Sequence, residues 1–242
     1  ISYEFENIPT DTVEFLKKLK PVLPDEKLLE VSQDRVTEKT FLNDIDIDTT
    51  RWKQYESPKS AQDAFLEWNT DSLILKTTRF GYDGKGQSKL KIGDNINETV
   101  SHLNGEVIIE EIVNFDYEIS VICARDTHKN MVAYGPMFNE HKDHILHKKC
   151  IPADIPSEIQ QQSISMVKKI AEEIDLIGVL TLELFVTKDK RILANEIAPR
   201  THNSGHWTID ACHHSQFDQH VRAVCGLPVI EPIRHSDVEM LN

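Results

Sequence analysis

The chain has 242 residues, 39% of them apolar and 28% charged, with a net charge of −13. That length buries a substantial core as one large domain or two smaller ones. The acidic balance argues against nucleic-acid binding, which needs a basic surface, yet it leaves an anionic small substrate open, because local cations override the global sign.

No apolar run approaches the ~20 residues of a membrane span, so no membrane partner is expected. Cys123, Cys150, Cys212 and Cys225 show no C-x-x-C spacing, and reduced thiols in a cytoplasmic protein are the expectation. The sequence starts as a strand at Ile1-Ser2-Tyr3-Glu4-Phe5-Glu6, with no initiating Met, and stops at Asn242 as another strand begins. A fragment of a longer protein is expected.

In chain order, Val13, Leu16 and Leu19 give residues 10–19 a helical spacing, with Asp11 as N-cap and Pro21 and Pro24 ending it. Residues 32–42 form a second helical candidate capped by Ser32, followed by a loop and a short extended piece over 51–55. Residues 60–68 are amphipathic, and the apolar strand 73–77 runs into a glycine-rich loop. Two strands, 107–113 and 118–124, flank an expected turn at 114–117, and a third covers 131–138. The longest helix candidate spans 156–173, and residues 217–225 close with Phe217, Val221 and Val224 at helical spacing before Gly226. Strands mixed with helices in many antiparallel pairs point to an α+β fold.

The most informative stretch is 183–207. Strands 180–186 and 191–197 form a hairpin around the polar turn Thr187-Lys188-Asp189-Lys190. A loop of two or four residues sets Glu183 opposite or diagonal to Glu196 on one face, whereas a three-residue loop sends them to opposite faces. Two carboxylates on one face call for a cation, and hard oxygen ligands suit Mg2+, with Mn2+ as an alternative. A salt bridge to a neighbouring Lys or Arg is the structural alternative. The donors Arg200, His202, Asn203, Ser204 and His206 follow at once.

Residues 76–87 place three glycines among Lys76, Arg79 and Lys85, which suits phosphate binding through backbone N–H groups and equally suits a plain hairpin tip. The G-K-[ST] ending of a P-loop is missing. Glu110-Glu111-Ile112-Val113 with Glu118 is either a nucleotide-binding edge or a solvated acidic one. His141, His144 and His147 lack the second cluster that a zinc set needs. Gln33-Asp34-Arg35 is either an exposed helical turn or an Arg reaching a phosphate.

Together, Tyr3-Glu4-Phe5-Glu6-Asn7, Gln33-Asp34-Arg35, the loop Gly81-Tyr82-Asp83-Gly84-Lys85-Gly86-Gln87 and residues 195–207 resemble the ATP-grasp enzymes. Within them the strings resemble the 5-(carboxyamino)imidazole ribonucleotide synthase family of purine biosynthesis. The resemblance implies an ATP-grasp fold of two α+β subdomains clasping ATP. Residues 1–30 would be the tail of an N-terminal domain and a linker, 31–112 a small lid subdomain with a leading helix, and 113–242 a large subdomain carrying the metal and bicarbonate sites. A glycine-rich N-terminal loop and a C-terminal β-rich segment that holds the ribonucleotide phosphate are not in the sequence given.

The implied reaction carboxylates the amine of 5-aminoimidazole ribonucleotide with ATP and bicarbonate through carboxyphosphate, releasing ADP and phosphate. By the same resemblance ATP contacts fall to Arg35, Lys76, Gly81, Tyr82, Asp83, Gly84, Lys85, Gly86, Gln87, Glu110, Glu111, Ile112, Val113, Glu118, His141, Asn195 and Glu196. Glu183 and Glu196 would hold the metal, Arg200 and His202 the carboxylating group, and Tyr82, Asp83 and Lys85 would close over the reacting groups. A homodimer is implied too. Another ATP-grasp carboxylate–amine ligase and a non-catalytic nucleotide-binding module are the rival readings.

Overall fold

Asp34 divides what the sequence presents as one helix. The computed structural model describes residues 1–81, 85–142 and 145–241, and the side chains of all of these except 140–142 and 145–150. Helix α1 (Thr10–Lys17) is preceded by Pro9, so Asp11 sits in the first turn instead of capping it; there its charge complements the helix dipole. Helix α2 (Glu26–Gln33) is capped by Asp25, and α3 (Arg35–Asp44) by Asp34, whose carboxylate accepts from the Val36 and Thr37 N–H groups. Ser32 is therefore no cap: it lies in the last turn of α2 and its hydroxyl donates to the Leu29 carbonyl. The first residues are not a strand either, since Tyr3 is packed among Val13, Val22 and Leu29.

A four-stranded antiparallel sheet follows, ordered β1-β4-β2-β3. It comprises β1 (Trp52–Gln54), β2 (Ser72–Thr77), β3 (Gln87–Lys91) and β4 (Val107–Glu111), with α4 (Pro58–Trp68) and α5 (Ile96–Ser101) between them. In β2 the period-two pattern buries Leu73 and Leu75 against Ala61, Ala64 and Leu90. Lys76 lies on the opposite face. Glu110, paired with Ile74 in the ladder, shares that face.

The second sheet has six strands in the order β10-β7-β6-β5-β8-β9. They are β5 (Phe115–Arg125), β6 (Met131–Lys142), β7 (Ile145–Ile151), β8 (Gly178–Thr187), β9 (Ile192–Ala198) and β10 (Val238–Leu241). Every named strand pair is antiparallel. β4 and β5 are not a hairpin around residues 114–117, because they belong to different sheets and β5 already begins at Phe115.

Helix α6 (Ser157–Glu173) covers one face of the six-stranded sheet, packing Ile159, Val167 and Ile170 on Ile119, Val121, Leu182 and Leu184. Leu28, Val31 and Leu42 join this same core, so the helix leading into the small sheet packs on the large one. Past α7 (Thr208–Ala211), helix α8 (Gln216–Val224) buries Gln216, Gln219 and Ala223. The expected apolar stripe is thus not its inner face, and Val221 is 56% exposed. The two glutamines turn inward because their amides satisfy backbone groups of His202 and Ile230.

Candidate active site

The face of the six-stranded sheet away from α6 carries the acidic residues. Glu183 and Glu196 are direct partners across β8 and β9, and Ser120 lies opposite Glu183 on the other side. Direct cross-strand partners project to the same face. The hairpin loop has three linking residues, Lys188, Asp189 and Lys190, closed by Thr187 N–H to Arg191 C=O at 2.9 Å, with Lys190 at φ 66°. The two- or four-residue loop expected from sequence is absent, and this loop alone would pair Glu183 with Asn195. The register shifts by one between Glu183 and Leu184, leaving Asn195 as the extra residue of a β-bulge. That bulge returns Glu196 to the face of Glu183.

Around this pair stand Arg200 and His202. The His202 Nε2 lies 3.5 Å from a Glu183 oxygen, and its Nδ1 is 2.9 Å from the Ser204 hydroxyl. Gln216, fully buried, accepts from the His202 N–H (3.0 Å) and donates to its carbonyl (2.7 Å), fixing this loop. Gly205 is required there, since a Cβ would lie 2.3 Å from Ile122 and 2.7 Å from Gln216. Arg200 grips both carboxylate oxygens of Glu6 with its Nε and Nη2. Burial works against the Glu6 charge, but Arg200 holds it below the usual carboxylate range.

Arg35 and the glycine loop meet across the junction of the two sheets. The loop is the tip of the β2–β3 hairpin, in which Lys76 pairs with Gln87. Gly86 has φ 71°, and a Cβ there would be 2.6 Å from the Thr77 hydroxyl. A Cβ on Gly81 would stand 3.4 Å from both terminal nitrogens of Arg35. The Arg35 N–H donates to the Thr78 carbonyl at 2.9 Å, so Gln33-Asp34-Arg35 is a helix junction and not an exposed helical turn. Tyr82, Asp83 and Gly84 lie outside the described residues, as do His144 and the side chains of His141 and His147.

Glu110 is not part of a solvated acidic edge. It is 3% exposed, with Lys76 at 2.9 Å and Lys39 at 3.5 Å, and the Thr50 hydroxyl donates to it. Burial opposes its charge, yet Lys39 and Lys76 more than offset this and hold it at about 2 against an ordinary 4.5. Glu111 pairs with Arg51 at 2.6 Å, and Ile112 and Val113 are half-buried in the passage to β5. Glu118 is pushed up to about 7, first by burial and then by the Glu196 charge, with Lys76 opposing. Glu118 lies two residues from Ser120 on β5, on the same face as Glu183.

Sequence reasoning missed Glu6, Gln216, Glu38 and Lys39. The last two lie one turn before Leu42 on its buried face, so spacing from Leu42 was the available signal. Glu38 is 3% exposed and is pushed up to about 8 by burial and then by Glu196, while the Ile197 N–H, Lys39 and Arg35 pull the other way.

The donor set fits a magnesium ion. Two carboxylates on one face, with Glu183 only partly accessible and His202 beside it, leave room for the waters and phosphate oxygens that this ion keeps. Among the described residues no third His, Cys, Asp or Glu completes a protein-only metal cage.

The ATP-grasp domain model matches residues 40–217. An N5-carboxyaminoimidazole ribonucleotide synthase from Brucella melitensis is 44% identical over 245 residues, covering all of this chain and 67% of that protein. The chain belongs to the N5-carboxyaminoimidazole ribonucleotide synthase family of ATP-grasp proteins. A crystal structure of an N5-carboxyaminoimidazole ribonucleotide synthetase in complex with ADP superposes with a TM-score of 0.92 at 38% identity, over 99% of this chain and 64% of that one. The Aspergillus clavatus N5-carboxyaminoimidazole synthase, in complex with ADP and 5-aminoimidazole ribonucleotide, gives 0.90 at 25% identity over 100% of this chain and 64% of that one. The chain therefore spans about two thirds of the length of these synthases. The α+β architecture with antiparallel sheets is that of the family.

Proposed function

We propose that the protein of which this chain is a part carboxylates the amine of 5-aminoimidazole ribonucleotide, using ATP and bicarbonate and releasing ADP and phosphate. The observation that carries the reading is the Glu183 and Glu196 pair on one face of the sheet, with Glu118 on that face of β5 and His202 3.5 Å from Glu183. Membership in the synthase family and a relative's complex with ADP and the ribonucleotide support it.

Magnesium held by Glu183 and Glu196 would supply charge neutralisation on the transferring phosphoryl oxygens. Lys76 and Arg35 bind phosphate as fixed cations, and the glycine loop offers backbone N–H groups where Gly86 leaves space beside Thr77. Glu110 is shared between Lys39 and Lys76, so it does not use up the Lys76 ammonium, which can also meet an incoming phosphate. Asn195 presents a side chain from the bulge toward the nucleotide, and the stretch from Glu110 to Val113 borders it. Tyr82, Asp83 and Lys85 close over the bound groups. Arg200 orients bicarbonate once its Glu6 contact is shared, and His202, aligned by Ser204 and Gln216, holds a proton or a hydrogen bond at Nε2. Excluding water protects the activated carboxyl group until the amine attacks.

A cytoplasmic homodimer accompanies this proposal. No described helix is long and apolar enough to cross a membrane. ADP release from the intact protein with bicarbonate, with and without 5-aminoimidazole ribonucleotide, tests the reading. Release that depends on the ribonucleotide is expected. Release indifferent to it points to another carboxylate–amine ligase, and no release points to a binding module.

A further inference from the structure

We infer that Glu38 is a positioning residue: its buried carboxylate clamps the β9 bulge and thereby keeps Glu196 opposite Glu183. The inference rests on the metal role proposed for that pair.

β9 is the edge strand of the six-stranded sheet, so the N–H groups on its outer side have no partner strand. Two of them are satisfied from elsewhere in the chain. The Ala194 N–H donates to the Asp48 carbonyl at 2.7 Å, and the Ile197 N–H donates to the Glu38 carboxylate at 2.5 Å. In a regular strand, N–H groups pointing to one side are two residues apart. Here they are three apart, because Asn195 is the inserted residue. On β8 the corresponding partners, Leu184 and Leu182, keep the regular spacing of two. The two outer bonds therefore bracket the bulge, and only a bulged β9 satisfies both.

The clamp comes from an independent element. Glu38 projects from α3, which is anchored through Leu42 in the core under the sheet and through Asp34 at its N-cap. The Glu38 side chain is 3% exposed, so the acceptor is held in place and shielded from competing water. Burying a third carboxylate close to Glu196 is costly, and a purely apolar helix face would pack on the sheet without that cost. The specific gain is the acceptor at Ile197, one residue beyond a metal ligand. This is the outer-shell orientation that metal ligands need.

Glu38→Asp and Glu38→Gln separate reach from ionisation in the intact protein. Asp keeps a titratable carboxyl group and shortens the side chain by one methylene; Gln keeps the reach and an acceptor oxygen. The probe is Mn2+ in the presence of ADP, followed by electron paramagnetic resonance, together with amide hydrogen exchange at Ile197. We expect Glu38→Asp to bind Mn2+ about tenfold more weakly and to exchange faster at Ile197. Glu38→Gln should stay close to the unsubstituted protein in both.

Both variants behaving like the unsubstituted protein, both impaired alike, or only Gln impaired would each overturn the proposal. Should Glu38→Asp fail to fold, slow Ile197 exchange in the unsubstituted protein supports the clamp, and exchange as fast as at the exposed Lys188 overturns it. Glu183→Gln serves as the control for the metal role. If it keeps full Mn2+ affinity, the metal role fails, while Ile197 exchange in the Glu38 variants still decides the clamp.

Discussion

Glu183 and Glu196 stand directly across from each other in the β8–β9 ladder, and a bulge at Asn195, not the hairpin loop, brings them together. The three-residue loop and the bulge each shift the register by one, and the two shifts cancel. Without the bulge one carboxylate would turn into the core beneath α6, where an unpaired charge is costly.

A second charged cluster joins the two sheets. Lys39 on α3 meets Glu110 on β4, with Lys76 alongside, and Lys39 is only 1% exposed. Glu110→Gln leaves that buried ammonium without its counter-charge, so we expect a loss of about 3–5 kcal/mol in urea unfolding. The double variant with Lys39→Met should recover much of it. A cost below about 1 kcal/mol for Glu110→Gln would mean that the cluster is not an ionic tie.

Two carboxyls give stability opposite dependences on pH. Glu110 is held to about 2, so its contribution is complete above 4.5 and lost as pH falls from 4.5 through 2. Glu38 is raised to about 8, so its contribution is complete below 4.5 and lost as pH rises through 8. The urea midpoint should therefore fall between pH 5 and 8, and Glu38→Gln should flatten that decline. An unchanged slope in Glu38→Gln would show that Glu38 does not titrate in this range.

How far the sequence spoke depended on whether a feature is local. The hairpin and the glycine loop were legible because turn residues and period-two alternation act over a few positions; the two acids share a face as expected, but through the Asn195 bulge and not the expected loop length. The Asn195 bulge was not, since nothing in Leu193-Ala194-Asn195-Glu196 marks an extra residue; the mark is a carboxylate from α3. Glu38 and Lys39 look like surface residues of an ordinary helix, and only the approach of β4 and β9 buries them. For α8 the apolar stripe misled, because the backbone of the His202 loop calls for amides, and Gln216 supplies them. The break at Asp34 went unseen because Ser32 is an equally good cap by residue type, and the bond from Arg35 to Thr78 decides between them.

Arg200 is fixed by a two-point contact with Glu6, which a lysine does not reproduce. Arg200→Lys should destabilise the fold by about 1–2 kcal/mol and lower ADP release by a larger factor than this loss of folded protein explains. If the variant keeps full ADP release at equal stability, Arg200 serves neither purpose.

The central claim is that Glu183 and Glu196 hold a divalent cation against the nucleotide. Mn2+ titration of the intact protein with ADP present, read by electron paramagnetic resonance for the unsubstituted protein, Glu183→Gln and Glu196→Gln, tests it most directly. Both substitutions should weaken Mn2+ binding by at least about a hundredfold, since each removes one of the two protein ligands proposed among the described residues, while the unfolding midpoint stays close to that of the unsubstituted protein. Mn2+ binding that survives either substitution at full strength would contradict the claim.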